Sequence, residues 1–352
     1  MKSAAAGFLL LCVLMAIPGQ SSAAGDADPF FGVISQREMQ ADDFDRMEWG
    51  RLGSFRYPID WDMIQATEDS DMNWKRIDSL VEATAVRGID FLPTLYNSPS
   101  WLTSDFRRMP VWGPHAISLW KKFAASAVVR YGTDGIYWQK HPEVPYRPVM
   151  KWQIWNEPNI RNFASPVSPR IYGKLVKISS AAIRLVDPDG KIVTGGFYAK
   201  PPKGTGIEAS TFMDRLYRIP GFRSSFNVAA IHPYASNTGD SIRRTFPLRR
   251  SLNRHHNRRK RMVITELGWG SDSATTFGMG NAEDQGAQLR SAYRKFLQYR
   301  RTLKLDAIYW FSWSDLPDGT DTCSFCLKTG LFDSQGEAKP AWFRLLDFTH
   351  DI

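Results

Sequence analysis

The chain has 352 residues and a formal charge of +9, a length that suits one large α/β barrel or two ordinary domains. The positive charge is accompanied by no nucleic-acid-binding motif. Beyond the N-terminus no apolar run reaches the length of a transmembrane helix.

Met1-Lys2, the apolar run Ala4 to Ile17 and Pro18 to Ala24 have the three parts of a secretory leader, with small residues at Ser22 and Ala24 predicting cleavage after Ala24. The run is too short to span a bilayer comfortably, and Leu10-Leu11-Cys12 lacks the small residues that precede a lipidated cysteine. A secreted or periplasmic mature chain, residues 25–352, is expected. Its two cysteines, Cys323 and Cys326, form a Cys-x-x-Cys pair. No second Cys/His pair stands at metal-ligand spacing, so a disulfide pinning a small loop is expected rather than a metal site.

Phe30 to Ile34 is the first strand-like run, followed by a helical stretch around Asp42 to Trp49 and a strand over Gly53 to Trp61. Ile77, Leu80, Val81 and Thr84/Ala85 have helical spacing within Trp74 to Val86. Ile89 to Tyr96 is a strand whose exit loop, Asn97-Ser-Pro-Ser-Trp101, is rich in turn residues. Trp120, Phe123, Ala124, Ala127, Val128 and Tyr131 stripe a helix over Ala116 to Tyr131. The next strand starts at Val149 and breaks at Glu157-Pro158, because proline cannot continue a central strand. Ser168-Pro169 opens a helix as cap residue and first-turn proline. Strands at Lys191 to Phe197 and Phe226 to Ile231 flank a helix that begins at Ser210. A basic helical stretch, Asp240 to His256, precedes the strand Met262 to Glu266. A helix over Ala282 to Tyr299, a last strand over Leu305 to Trp313 and a final helix from Lys339 complete the chain. Eight strands alternate with helices at β/α spacing, which predicts a single α/β domain, a (β/α)₈ TIM barrel.

Two of these strands end in one glutamate each: Glu157 on the fourth, within Trp155-Asn156-Glu157-Pro158, and Glu266 on the seventh, before Gly268. Paired carboxyls on separate strand ends of such a barrel are what retaining glycoside hydrolysis requires. Trp152 and Trp155 are expected as apolar walls that raise the pKa of Glu157. The sequence resembles glycoside hydrolase clan A, whose barrels carry the acid/base in an Asn-Glu-Pro motif on strand four and the nucleophile on strand seven. Phe55-Arg56 resembles the clan's strand-two arginine, and His232-x-Tyr234 its strand-six His-x-Tyr, in which the tyrosine hydroxyl touches the nucleophile. With Trp74-Lys-Arg-Ile-Asp and Leu95-Tyr-Asn-Ser-Pro-Ser-Trp101, the resemblance is to family 39 and its bacterial relatives, and it covers roughly residues 30 to 346.

In chemical terms Glu157 is the expected proton donor, and Glu266, held ionised by Arg56 and Tyr234, the nucleophile. Asn156 is placed to bond a sugar 2-hydroxyl, and His232 belongs with the site. Trp310 and Trp313 have opposite parity at the end of the eighth strand, and Trp313, nearer the rim, is the expected sugar platform. Trp61, Trp101 and Trp269 lie just beyond strand ends, where outer subsites or ordinary loop packing account for them equally well. The basic run Arg243 to Arg261 reads first as the solvated face of an outer helix, and second as a weak holder of acidic envelope polysaccharide or membrane surface. The expectation is a secreted retaining glycosidase that needs no cofactor or metal and acts as an endo-enzyme on a β-linked poly- or oligosaccharide. Exo-acting β-glycosidases, transglycosylases and a catalytically silent carbohydrate-binding envelope protein are the alternatives.

Overall fold

The structure, a computed structural model, describes residues 27–320 and 324–350. The leader therefore lies outside the described residues, as does Cys323. The barrel strands are β1 (Phe31–Ile34), β2 (Ser54–Asp60), β3 (Asp90–Tyr96), β4 (Lys151–Ile154), β5 (Lys191–Thr194, resumed at Phe197–Tyr198), β6 (Val228–His232), β7 (Arg261–Leu267) and β8 (Leu305–Phe311). All pair in parallel with their sequence neighbours; β1 pairs with β8, and Val193 opposite Val228 closes the ring. The result is the expected closed (β/α)₈ barrel.

Around it run α1 (Ala41–Trp49), α2 (Trp61–Ile64), α3 (Lys75–Ala85), α4 (Pro114–Tyr131), α5 (Ile136–Lys140), α6 (Pro169–Val186), α7 (Ala209–Leu216), α8 (Thr238–Arg254), α9 (Ala282–Leu303) and α10 (Pro340–Thr349). The expected cap at Ser168 is present, its side chain accepting from Ile171 N. Two short helices, α2 and α5, have no counterpart in the sequence reading, since one turn is too short to show a period. Among the described residues no helix is long and apolar enough to cross a membrane.

Alternation along the strands divides the barrel interior into two zones. Near the strand starts, Leu92, Val193, Val228, Ala230, Val263, Ala307 and Tyr309 form one apolar cluster. Two residues further along, the inward positions turn polar: Arg56, Thr94, Gln153, His232 and Thr265 are all buried. Buried polar groups need partners, and these find one another across the barrel, as described below.

The basic run is mixed in character. Arg250, Arg254, Arg258 and Arg259 are exposed, as expected of an outer face. Arg249 instead is buried, donating to the carbonyls of Lys260 and Asn257 and so closing the loop from α8 to β7.

Candidate active site

Glu157 lies three residues past β4, on a backbone that turns sharply. Trp155 and Glu157 both have positive φ, 68° and 39°, a costly conformation for residues with a Cβ that persists where surrounding structure fixes it. Trp155 is fixed by its ring against Trp120 and Tyr96 and by its Nε1, which donates to the Phe163 carbonyl at 2.7 Å. Trp152 and Trp155 are fully buried and neither lines the cavity above Glu157. Trp155 belongs to the turn and Trp152 to β4, and neither ring forms the cavity wall expected of it.

Glu266 reaches the interior by a different device. Val263 and Thr265 point inward, so strict alternation would send Glu266 outward with Ile264. The β7–β8 pairing shifts register between Ile264 and Leu267, and such an irregularity re-aims side chains. Thr265 and Glu266 consequently both face the site.

Arg56 is the hub. Its Nη1 donates to Glu266 Oε1 at 2.8 Å, its Nε to Gln153 Oε1 at 2.7 Å and its Nη2 to Asn156 Oδ1 at 2.9 Å. The Tyr234 hydroxyl donates to Glu266 Oε2 at 2.9 Å. His232, fully buried, places Nδ1 2.7 Å from Glu157 Oε1 and 3.4 Å from Glu266 Oε2, with Nε2 2.9 Å from Thr265 Oγ1. Gly196 makes this packing possible: a Cβ there would overlap both His232 Nε2 and Thr265 Oγ1. One oxygen each of Glu157 and Glu266 and a ring nitrogen of His232 lie within 4.8 Å of one another.

Burial raises both carboxyl pKa values, but unequally. Glu157 is pushed far above the ordinary range by burial and then by the charge of Glu266. For Glu266 burial is opposed by Arg56 and by the Tyr234 hydrogen bond, so it rises less. The pair therefore shares one negative charge, centred on Glu266. Burial and Arg56 lower the pKa of His232, keeping the imidazole neutral. With two carboxyl oxygens around it, Nδ1 is the protonated nitrogen, and the Thr265 hydroxyl donates to Nε2. Glu157, His232 and Glu266 are also the one grouping with metal-ligand chemistry among the described residues. Arg56 already supplies the positive charge beside Glu266.

A cavity of about 490 Å³ opens over the carboxyls. Its lining comes from loops after β1 (Gln36), β4 (Asn156 to Phe163), β5 (Tyr198 to Thr205), β7 (Phe277) and β8 (Phe325, Cys326), together with Tyr234 and Phe311. The loops after β2 and β3 contribute nothing to it. Beside Glu266 stands an aromatic wall that the sequence reading missed. Phe277 stacks on Tyr234 at 5.8 Å, and Phe325 stacks on Phe311 at 5.8 Å with its edge to Tyr234. Cys326, next to Phe325, is disulfide-bonded.

The tryptophans correct the sequence reading. Trp313 is fully buried away from the cavity, its Nε1 donating to Asp43 at 2.8 Å and its ring packed on Phe332 and Trp342. β8 ends at Phe311, so alternation does not extend to residue 313, and Phe311 takes the inward place. Trp269 is buried against Trp310 and donates to the Ala235 carbonyl. Trp101 meets Trp61 edge-on and donates to the Gln65 carbonyl. Trp269 and Trp313, fully buried, present no face to a sugar, and Trp101, partly buried, lies outside this cavity. Trp313→Ala is therefore expected to act on stability, by about 3–5 kcal/mol as for other large buried aromatics, with KM unchanged in the folded fraction. Denaturant unfolding alongside steady-state kinetics checks this.

No protein-family model matches the sequence, and no curated protein matches it. Solved structures do match in fold. A family 39 glycoside hydrolase from Bacteroides cellulosilyticus WH2 superposes with a TM-score of 0.69 at 19% identity, over 92% of this chain and 64% of that one. A monomeric beta-xylosidase from Caulobacter crescentus CB15 gives 0.68 at 16%, over 92% and 68%. A GH10 structure from Paenibacillus barcinonensis gives 0.62 at 18%, over 90% and 94%. The chain thus spans less than two thirds of the length of the first of these. At under 20% identity the likeness is one of fold: this chain and these glycoside hydrolase structures share the (β/α)₈ barrel.

Proposed function

We propose that this protein is a retaining glycoside hydrolase, with Glu266 as nucleophile and Glu157 as acid/base. One observation carries the reading. Two carboxyls on the ends of β4 and β7 have oxygens within 4.8 Å of one another, and their surroundings separate their protonation states. Oxygens no more than 4.8 Å apart fit direct attack by one carboxylate better than inversion, which needs room for a water between the carboxyls.

Glu266 attacks the anomeric carbon while Glu157 gives its proton to the departing glycosidic oxygen, and a covalent glycosyl-enzyme forms. The donation from His232 Nδ1 to Glu157 Oε1 leaves Oε2 to carry the acid proton. Once Glu266 is esterified its charge is gone, so the pKa of Glu157 falls and the carboxylate can activate water as base. Asn156, whose Oδ1 is held by Arg56, has its Nδ2 free to donate to a sugar 2-hydroxyl, a bond that strengthens in the transition state.

The substrate is a neutral β-linked glycan. No Lys or Arg appears in the cavity lining, and the donors of Arg56 are directed to Gln153, Glu266 and Asn156. Among the described residues that line the cavity, none is a cation that could pair with a uronate. Acidic envelope polymer would meet the protein through the exposed arginines of α8 and its loop. Endo action on such a glycan is the form of the reading that product sizes test. The leader motif supports secretion.

The test is a panel of neutral and acidic polysaccharides on the mature protein, wild type beside Glu266→Ala, with product sizes and anomeric configuration read out. Oligosaccharides released from a neutral β-glycan by the wild type alone support the reading. Release by neither protein, with binding retained, would sink it.

A further inference from the structure

At the strand-start end of the barrel, away from the carboxyl pair, positive charges are gathered without acidic partners. Lys260, just before β7, is half-buried; its Nζ bonds the Phe226 carbonyl and sits 4.1 Å over the Phe226 ring. Arg184, in the last turn of α6, donates to the Ser224 carbonyl and to Asn227 Oδ1, both at 2.8 Å. Arg223 is exposed on the segment between them. Lys260 feels both arginines, and together with burial they lower its pKa to about 8. Asn227 also bonds the backbone of Ile192 at the start of β5. There Lys191 lies in register beside Lys151 of β4.

Among the described residues, none of these five cations forms a salt bridge. The neighbouring acids are engaged elsewhere: Asp306 with Arg261, Asp214 with Arg254, and Asp187 with Thr133. A cavity of about 470 Å³ opens at this mouth, lined by Lys151, Lys191, Asn227 and Arg261 and also by Asp90, paired with Arg147, and Asp306, paired with Arg261; Arg184, Arg223 and Lys260 stand outside that lining. Crowding cations while satisfying them only with neutral carbonyls costs free energy that a bound anion would recover. Arginine and lysine together match a phosphate's charge and its several acceptor oxygens better than a single carboxylate.

We propose that this mouth of the barrel binds a phosphate group, held by Arg184, Arg223 and Lys260 with Lys191 and Lys151 at its edge. Free phosphate and a phospholipid headgroup offer the same chemistry. Either would be bound on the face opposite the catalytic cavity, so occupancy leaves that cavity open.

The experiment titrates the mature protein with inorganic phosphate and pyrophosphate by calorimetry at constant ionic strength. In parallel, sedimentation is measured with phosphatidylcholine vesicles with and without phosphatidylglycerol. The comparison protein is Arg184→Gln/Arg223→Gln/Lys260→Gln. Saturable binding in either arm, weakened about a hundredfold in the triple variant at roughly fivefold per charge, supports the site, and the responding arm names the source. The wild-type Lys260 amine, followed by NMR, is a check that does not depend on the variant folding. Phosphate or the anionic vesicle should raise its titration midpoint, and chloride should not. Absence of binding in both arms, binding that survives the substitutions, or binding of a polyuronate with none of phosphate would each overturn the proposal.

Discussion

Glu266→Ala is expected to abolish turnover, with a loss on the order of 10⁵–10⁶ in kcat, the scale seen when a covalent nucleophile is removed. The variant should stay folded. Truncation leaves Arg56 facing Gln153, Asn156 and, at 3.5 Å, the Thr265 carbonyl, and frees the Tyr234 hydroxyl, while the other contacts of the network remain. The space vacated also makes a sharper test possible. Azide can enter from the side that Glu266 occupied and attack the anomeric carbon of an activated aryl β-glycoside. The product should be the α-glycosyl azide, because a single displacement inverts the centre. NMR of the product would identify it. If azide restored no activity, or the wild type released its sugar with inverted configuration, Glu266 would not be the nucleophile.

Glu157→Gln should separate two properties of one carboxyl. Activity on substrates with poor leaving groups should fall by about 10²–10⁴, the usual contribution of a positioned acid, and much less on aryl glycosides that depart unaided. The wild-type rate should fall as pH drops through the pKa of Glu266, which must be ionised. It should fall again as pH rises through the raised pKa of Glu157, which must carry its proton. The glutamine variant should lose the alkaline limb. Stability moves the other way. The pKa of Glu157 is higher folded than unfolded, so its favourable contribution is fully present at low pH and is lost as pH rises through the folded value, where burial of the charge is penalised. Glutamine carries no charge to bury. Its melting temperature should therefore exceed that of the wild type in alkaline buffer and match it in acid. Equal melting temperatures at all pH values would mean that Glu157 is not buried as described.

The barrel was legible because its signals are local and repeated: β-branched runs, helical stripes, and breaks at Gly88, Pro158 and Gly268. Both glutamates and the His232–Tyr234 pair were legible because each sits at or near a strand end, and Arg56 because it stands inside a clear strand run; the structure brings all of them together. What could not be seen depended on departures from regular backbone. Whether Glu266 faced inward turned on a register shift in β7. The platform assignment failed because β8 ends two residues before Trp313, so counting parity past Phe311 had no physical basis. Trp101, Trp269 and Trp313 each carry a ring N–H, and in this fold each N–H meets an oxygen of the protein itself, two of them backbone carbonyls. The aromatic wall escaped notice because Phe277 and Phe325 lie on irregular loops far apart in sequence, where no period marks a shared surface.

The arrangement of Arg56 has a consequence for how this protein can change. Every partner it holds stands on β4 or β7 or just past the end of β4, and the hydrogen-bond partners of His232 and Tyr234 do likewise. The chemical step proposed above would thus be anchored in the rigid ring, while Phe277, Phe325, Pro201 and Pro202 stand on loops outside it. Inheritance can therefore rewrite those loops freely and present a new sugar to an unaltered reaction centre. Variation among descendants should accumulate in which glycan is chosen long before it reaches how the bond is broken.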